Sequence, residues 1–289
     1  KLKTFKSKKI IKSNLKKSEL TKISKMIENS KRPVFWFGNG IKLSKPKKIV
    51  EKILKKYPFP SFVSWAAIDL LKSNHHLNYG RPGVYGNRAS NLILQNADLI
   101  ISVGTRMSIP MIGYVHNEFA RKAKIIQVDI DKNEIKKLKK KINLAINNDA
   151  NIFFVNILGN IKNNINEKSL NLWVNYCKKT IKKYPHIELK AHSDNNGFIN
   201  SYKFLDKFSN YFRKNECIVT DMGTALLSGH QVLKIKDKQT LMTSTGLGEM
   251  GFGLPGAIGA SFGKNKGEII CLNCDGGMMM NIQELQTID

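Results

Sequence analysis

The sequence predicts an α/β protein of two doubly wound parallel-sheet domains, the second of them incomplete. Three observations carry this. Short apolar runs recur, each ending in glycine or aspartate, as buried parallel strands do when they enter a tight turn. Amphipathic stretches with helical spacing separate them. The series then restarts after the polar loop "SDNNG" at residues 193–197. A length of 289 residues with 42% hydrophobic content suits about two globular cores. The reading divides the chain into a linker (1–17), a middle nucleotide-binding-like domain (18–165), a second linker (166–197) and a C-terminal domain (198–289). Lys1 in place of Met and a helix interrupted at Asp289 lead to the expectation of a longer protein.

The elements follow in order. "SELTKISKMIENS" (18–30) places Leu20, Ile23, Met26 and Ile27 on one helical face, with Ser18 as the expected N-cap. "RPVFWFGNG" holds the strand Val34–Phe37 and a glycine turn at Gly38 and Gly40. A helix follows, with Ile49, Ile53 and Leu54 on one side. "FPSFVSW" (59–65), "ADLIISVGTR" (97–106) and "AKIIQVDID" (123–131) are the next strands. "SLNLWVNYCKKTIKKY" reads as a helix. The second series contains a helix at about 200–212 and the strands "CIVTDMG" (217–223), "LMTS" (241–244) and "EIICLNCDGG" (268–277). A glycine-rich helix, "GLGEMGFGLPGAIGASFG", precedes the last strand.

The net charge of +26 invites a nucleic-acid reading. The excess is mostly lysine spread along helical stretches such as 45–56 and 132–141, and no nucleic-acid-binding motif accompanies it. A nucleic-acid partner is therefore not expected. Four cysteines are too few for a disulfide scaffold and suit a reducing cytoplasm. No apolar run is long enough to span a membrane.

Ligands bind at the carboxyl tips of strands in open α/β sheets, where loops diverge and helix N-termini offer amides. Three polar tips recur in the second half: Asp221-Met222-Gly223-Thr224, Ser244-Thr245-Gly246-Leu247-Gly248, and Asp275-Gly276-Gly277. Glycines admit phosphate close to the backbone, a threonine hydroxyl can donate to it, and an aspartate suits Mg²⁺. The pattern points to a Mg²⁺-diphosphate site.

"STGLGEMGFGLPGAIGASFG" (244–263) resembles the "SGGLGTMGFGLPAAIGA" of thiamine-diphosphate enzymes of the acetolactate synthase group. "CDGGMMMNIQELQTI" (274–288) is similar to that group's "GDGSFxMNxQELxT", and "GRPGVYGNRASNLILQNADLIISVGTR" (80–106) to its middle-domain run. The resemblance implies a decarboxylase or carboligase acting on pyruvate or a related 2-keto acid, working as a homo-oligomer. A two-carbon transferase onto an activated sugar and a degenerate, non-catalytic homologue are the alternatives. It further implies that Asp275 binds Mg²⁺, that Gly223, Thr224, Gly276 and Gly277 cradle the diphosphate, and that Gly248 and Met250 meet the aminopyrimidine. The family's catalytic glutamate and second metal ligand fall outside this chain.

The chain departs from the family at two places. Cys274 replaces the glycine before the metal aspartate, and the middle-domain "RFDDR" reads "RMSIP". Gly38, Gly40, Arg106 and Asp129 remain as candidate contacts for FAD, which the resemblance allows. Cys271 and Cys274 form a C-x-x-C, but no second pair accompanies it to make a zinc site. Cys271 is expected to be buried in its strand, and Met278–Met280 to pack. His230 is expected to pack on its helix, Glu249 to be solvated, and His75 and His76 to be exposed or capping.

Overall fold

The computed structural model describes residues 13–44, 48–138, 141–263 and 268–288. Most of the expected first linker lies outside these. Helices α1 (Lys17–Glu28), α2 (Asn39–Ser44) and α3 (Lys48–Lys56) are followed by α4 (Arg88–Asn96), α5 (Ile109–Ile112), α6 (Lys132–Lys136), α7 (Ala150–Asn160) and α8 (Glu167–Lys183). Strands β1 (Pro33–Phe37), β2 (Ser61–Val63), β3 (Leu99–Val103), β4 (Lys124–Asp129) and β5 (Leu144–Asn147) lie among them. The second series is α9 (Ser201–Phe208), β6 (Cys217–Thr220), α10 (Thr224–Val232), β7 (Thr240–Thr243), α11 (Gly253–Gly263), β8 (Ile269–Leu272), α12 (Asp275–Met280) and α13 (Leu285–Ile288).

The first sheet has the order β2-β1-β3-β4-β5, and every neighbour is parallel. Strands β1 and β3 are buried throughout, which explains their unbroken apolar runs. Phe35, Trp36 and Phe37 are fully buried, and each such side chain contributes roughly 1.5–3 kcal/mol of burial. Trp173 and Cys177 of α8 join the same core, and the Trp173 indole N–H donates to the Pro33 carbonyl at 3.0 Å.

The second sheet has the order β7-β6-β8, again parallel. Ile218, Leu241 and Leu272 pack with α9 and α10 residues, including Leu205, Ala225 and Val232. Cys217, Val219 and Ala257 pack on the α11 side. A doubly wound sheet binds ligands where the strand order reverses. In the first sheet that point lies between β1 and β3; in the second it lies between β6 and β8.

The two units share a built seam. Arg81, buried after the first sheet's long loop, donates to the His230 and Leu233 carbonyls at 2.8 Å each. These carbonyls sit at the end of α10, where a cation is favoured by the helix dipole. The Asp69 carboxylate pairs with Lys42 at 2.9 Å and accepts from the Leu241 amide at 3.1 Å. Ser73 exchanges hydrogen bonds with Ile235.

Three expectations change. Helix α1 starts at Lys17, so Ser18 is not its cap; the Glu19 carboxylate instead accepts from the Lys16 amide at 2.8 Å. Strand β5 was not expected, because "LAIN" is short and mostly unburied. Cys271 is exposed. The register pairs it with buried Val219, but among the described residues β8 is an edge strand and Val219 takes the cover.

Candidate functional site

The tips of β6 and β8 and the turn after β7 meet at the switch point of the second sheet. Asp221, the residue after β6, is 1% exposed. Its amide donates to the Leu272 carbonyl at 2.9 Å. Its carboxylate accepts from the Gly251 amide at 3.3 Å and the Gly253 amide at 3.1 Å. A Cβ on Gly277 would overlap that carboxylate, so Gly277 is glycine because β8's tip must close on Asp221. One buried side chain therefore ties all three tips together.

The other predicted positions converge on the same place. Gly223 has φ +85° and is the N-cap residue of α10, a conformation that glycine adopts without strain. Thr224, at the first position of α10, is exposed. A Cβ on Gly276 would lie 2.8 Å from the Met250 Cε, and one on Gly248 would lie 2.8 Å from the Met222 Cε. Met250 is half exposed and lies against β8's tip. Asp275 is exposed, and its carboxylate accepts from the Gly276 amide at 2.8 Å. The Asn281 side chain donates to the Gly251 carbonyl at 2.7 Å, fastening α12's end to the glycine turn.

The arrangement fits a diphosphate. The Gly223 backbone, the N-terminus of the nine-residue α10 and the Thr224 hydroxyl are donors that could hold an anion. The exposed Asp275 carboxylate at the tip of β8 is the group that could hold Mg²⁺. This ion commonly takes one or two carboxylates and completes its shell with phosphate and water. Among the described residues no cluster of three or more histidine, cysteine or acidic side chains forms a metal site.

The family description "Thiamine pyrophosphate enzyme, C-terminal TPP binding domain" matches residues 221–288, which begin at Asp221 and take in all three tips. "Thiamine pyrophosphate enzyme, central domain" matches residues 20–157. The chain belongs to the thiamine pyrophosphate enzymes. Similar members include the probable acetolactate synthase large subunit of Methanococcus aeolicus, 31% identical over 93% of this chain and 46% of its own length. The acetolactate synthase isozyme 1 large subunit of Escherichia coli K12 is 32% identical over 91% of this chain and 44% of its own. The acetolactate synthase large subunit of Porphyra purpurea is 29% identical over 96% of this chain and 46% of its own length. The chain spans about half the length of the curated relatives it matches.

Within this thiamine pyrophosphate enzyme, the middle-domain candidates also gather, at the tips of β1, β3 and β4. A Cβ on Gly38 would overlap the Gly104 backbone, and one on Gly40 would lie 2.8 Å from the Gly104 Cα. Both glycines are thus required by the packing of two backbones. Arg106 pairs with Glu134 at 3.3 Å and points outward. Asp129 is buried, accepts from the Asp131 amide at 3.0 Å, and is held above the usual carboxylate range by desolvation.

The remaining residues resolve individually. His230 is fully buried near the end of α10, its Nδ1 2.8 Å from the Leu226 carbonyl and its Nε2 without a partner among the described residues. Burial and the nearby Arg81 charge push its imidazole down to about 3. Glu249 is exposed and accepts from the Ser244 hydroxyl. His75 accepts from the Leu77 amide at 3.2 Å and stacks on exposed His76. Cys271 and Cys274 are free thiols. Met279 and Met280 are 64% and 56% exposed, against the expected packing. Met280 lies beside Gly251 and Met250 beside Gly276. A cavity of about 660 Å³ opens at the other end of α10, lined by Arg81, Leu233, Lys234 and Asp237, and takes no part in the site. Asp221 stands at an expected tip, and its role as the tie between the tips comes from the fold. Its signal was a second aspartate followed closely by glycine, echoing Asp275-Gly276.

Proposed function

We propose that the chain supplies the middle and cofactor-binding parts of a thiamine-diphosphate- and Mg²⁺-dependent enzyme. The enzyme decarboxylates pyruvate or a related 2-keto acid and joins the fragment to a second 2-keto acid, as acetolactate synthases do. The observation that carries this reading is the closure of three polar tips on Asp221. Gly223, Thr224, Gly276 and Gly277 would hold the diphosphate, and Asp275 would hold the metal. Gly248 and Met250 would position the aminopyrimidine. The cofactor, when bound, supplies an electron sink for the carbanion left by decarboxylation. Leu247, Met250, Met279 and Met280 are exposed apolar side chains on the same three segments.

Domain limits of 18–165 and 198–289 belong to the same reading, as do a homo-oligomeric state and a cytoplasmic location. Unpaired cysteines support the last of these, and among the described residues no helix is long and apolar enough to cross a membrane. FAD at Asp129 and Arg106 is a secondary reading. Gly38 and Gly40 pack on the Gly104 backbone at the same strand tips. A visible flavin absorbance in the purified full-length protein tests it. The main proposal is tested by incubating that protein with pyruvate, thiamine diphosphate and Mg²⁺. Acetolactate is the expected product; pyruvate left unconsumed by cofactor-saturated protein overturns the substrate assignment.

A further inference from the structure

Cys274 occupies a donor that the cradle would offer to the diphosphate. The Ala225 amide, in the first turn of α10, donates to the Cys274 Sγ at 3.3 Å. A Cβ on Gly223 would lie 3.4 Å from the same sulfur. The thiol therefore bridges the two tips that flank the switch point. An amide in the first turn of a helix has no acceptor within the helix, and here a sulfur stands in for an external anion. The backbone of Cys274 is extended, at φ −105° and ψ 162°, so the position does not require any particular residue. The side chain's contact with α10 is its distinguishing feature.

A thiol sulfur is a weak acceptor, whereas a phosphate oxygen makes charge-assisted bonds about twice as strong. The exchange of one for the other is favourable, but it is reduced by whatever the thiol contact was worth. We propose that Cys274 is an internal competitor for the cofactor's diphosphate and so sets its affinity. In the cofactor-free protein the thiol holds the Ala225 amide. In the loaded protein it yields that amide and lies beneath the diphosphate, out of reach of solvent. The inference rests on the thiamine-diphosphate reading above. It adds that this chain binds the cofactor more weakly than the same chain without the thiol. A hydrogen bond of ordinary net strength corresponds to about a three- to tenfold change in affinity.

The test uses the full-length protein and its Cys274→Ala variant, with thiamine diphosphate and Mg²⁺ as the probe. Calorimetry gives the two dissociation constants. N-ethylmaleimide labelling, followed peptide by peptide, gives the alkylation rates of Cys274 and of exposed Cys271 with and without cofactor. The expected result is about three- to tenfold tighter binding in the variant. Cofactor should also slow Cys274 alkylation at least about tenfold while Cys271 reacts as before. Equal dissociation constants, or an unchanged Cys274 rate in protein whose binding heat shows it loaded, overturn the proposal and leave the cofactor reading intact. Absence of binding heat in both proteins overturns the cofactor reading and the proposal together. If the variant does not fold, the labelling of the unsubstituted protein decides.

Discussion

Replacing Asp221 by Asn probes the node that joins the three tips. The carboxylate accepts from two buried amides, Gly251 at 3.3 Å and Gly253 at 3.1 Å. A hydrogen bond to a charged group contributes about 1.5–3 kcal/mol, and the two lengths place both near the lower end, for a total of about 3 kcal/mol. Asparagine keeps one acceptor oxygen and turns a donor NH₂ toward the other amide, so it loses at least half of that total and adds a donor–donor contact. The glycine turn should then open locally far more often than the strands beneath it. Amide hydrogen exchange measures this directly. Protection of Gly251 and Gly253 should fall about ten- to a hundredfold, at about 1.4 kcal/mol per factor of ten. The amides of Ile218 and Val219 on β6, fully buried, serve as the reference and should change little. Protection of the turn amides that stays within about threefold of the unsubstituted protein would refute Asp221 as the tie.

Other consequences concern the seam, the core and the site. His230 is neutral when folded, with a pKa depressed to about 3 by burial first and by Arg81 second. The unfolded chain takes up a proton below about pH 6.5 that the folded one refuses, so stability is full above that value and falls on acidification by up to about 1.4 kcal/mol per pH unit. Denaturant midpoints at about pH 7 and pH 5 should show this fall, and His230→Gln should reduce it, leaving the share of His186, whose imidazole burial also pushes down to about 4. Arg81→Met removes two 2.8 Å bonds to carbonyls at the end of α10. It should cost about 2–4 kcal/mol and separate one unfolding transition into two, read by circular dichroism against tryptophan fluorescence. The fluorescence reports the first unit, which contains Trp36, Trp65 and Trp173. Gly277→Ala puts a Cβ into the Asp221 carboxylate. It should destabilise the second unit by several kcal/mol, at about the scale of an overpacked core, and abolish thiamine diphosphate binding in calorimetry.

The sequence is most explicit where local pattern and tertiary role coincide. The apolar runs of β1, β3 and β4 are legible because strands buried on both faces need no alternation. The three tips are legible because glycine and aspartate announce sharp turns. What stays hidden depends on neighbours distant in sequence. Cys271 looks buried from its own strand, yet its exposure follows from β8 standing at the sheet edge among the described residues. Gly38 and Gly40 look like nucleotide glycines, and only the approach of Gly104 shows what they accommodate. Strand β5 is invisible in "LAIN" because pairing to β4, not burial, makes it a strand. The thiol of Cys274 reads in sequence as half of a C-x-x-C or as a lost glycine. Its contact with the Ala225 amide, 49 residues away, is a property of the fold alone.

The central claim is that the tips of β6 and β8 and the turn after β7 form one Mg²⁺-diphosphate cradle. Titration of thiamine diphosphate into the full-length protein, with and without Mg²⁺, tests it most directly. The account predicts saturable binding to one site per chain, dependent on Mg²⁺ and weakened at least about tenfold by Asp275→Ala, which removes the exposed carboxylate offered to the metal. Binding that is indifferent to Mg²⁺ and to Asp275→Ala, or no binding at all, would contradict it.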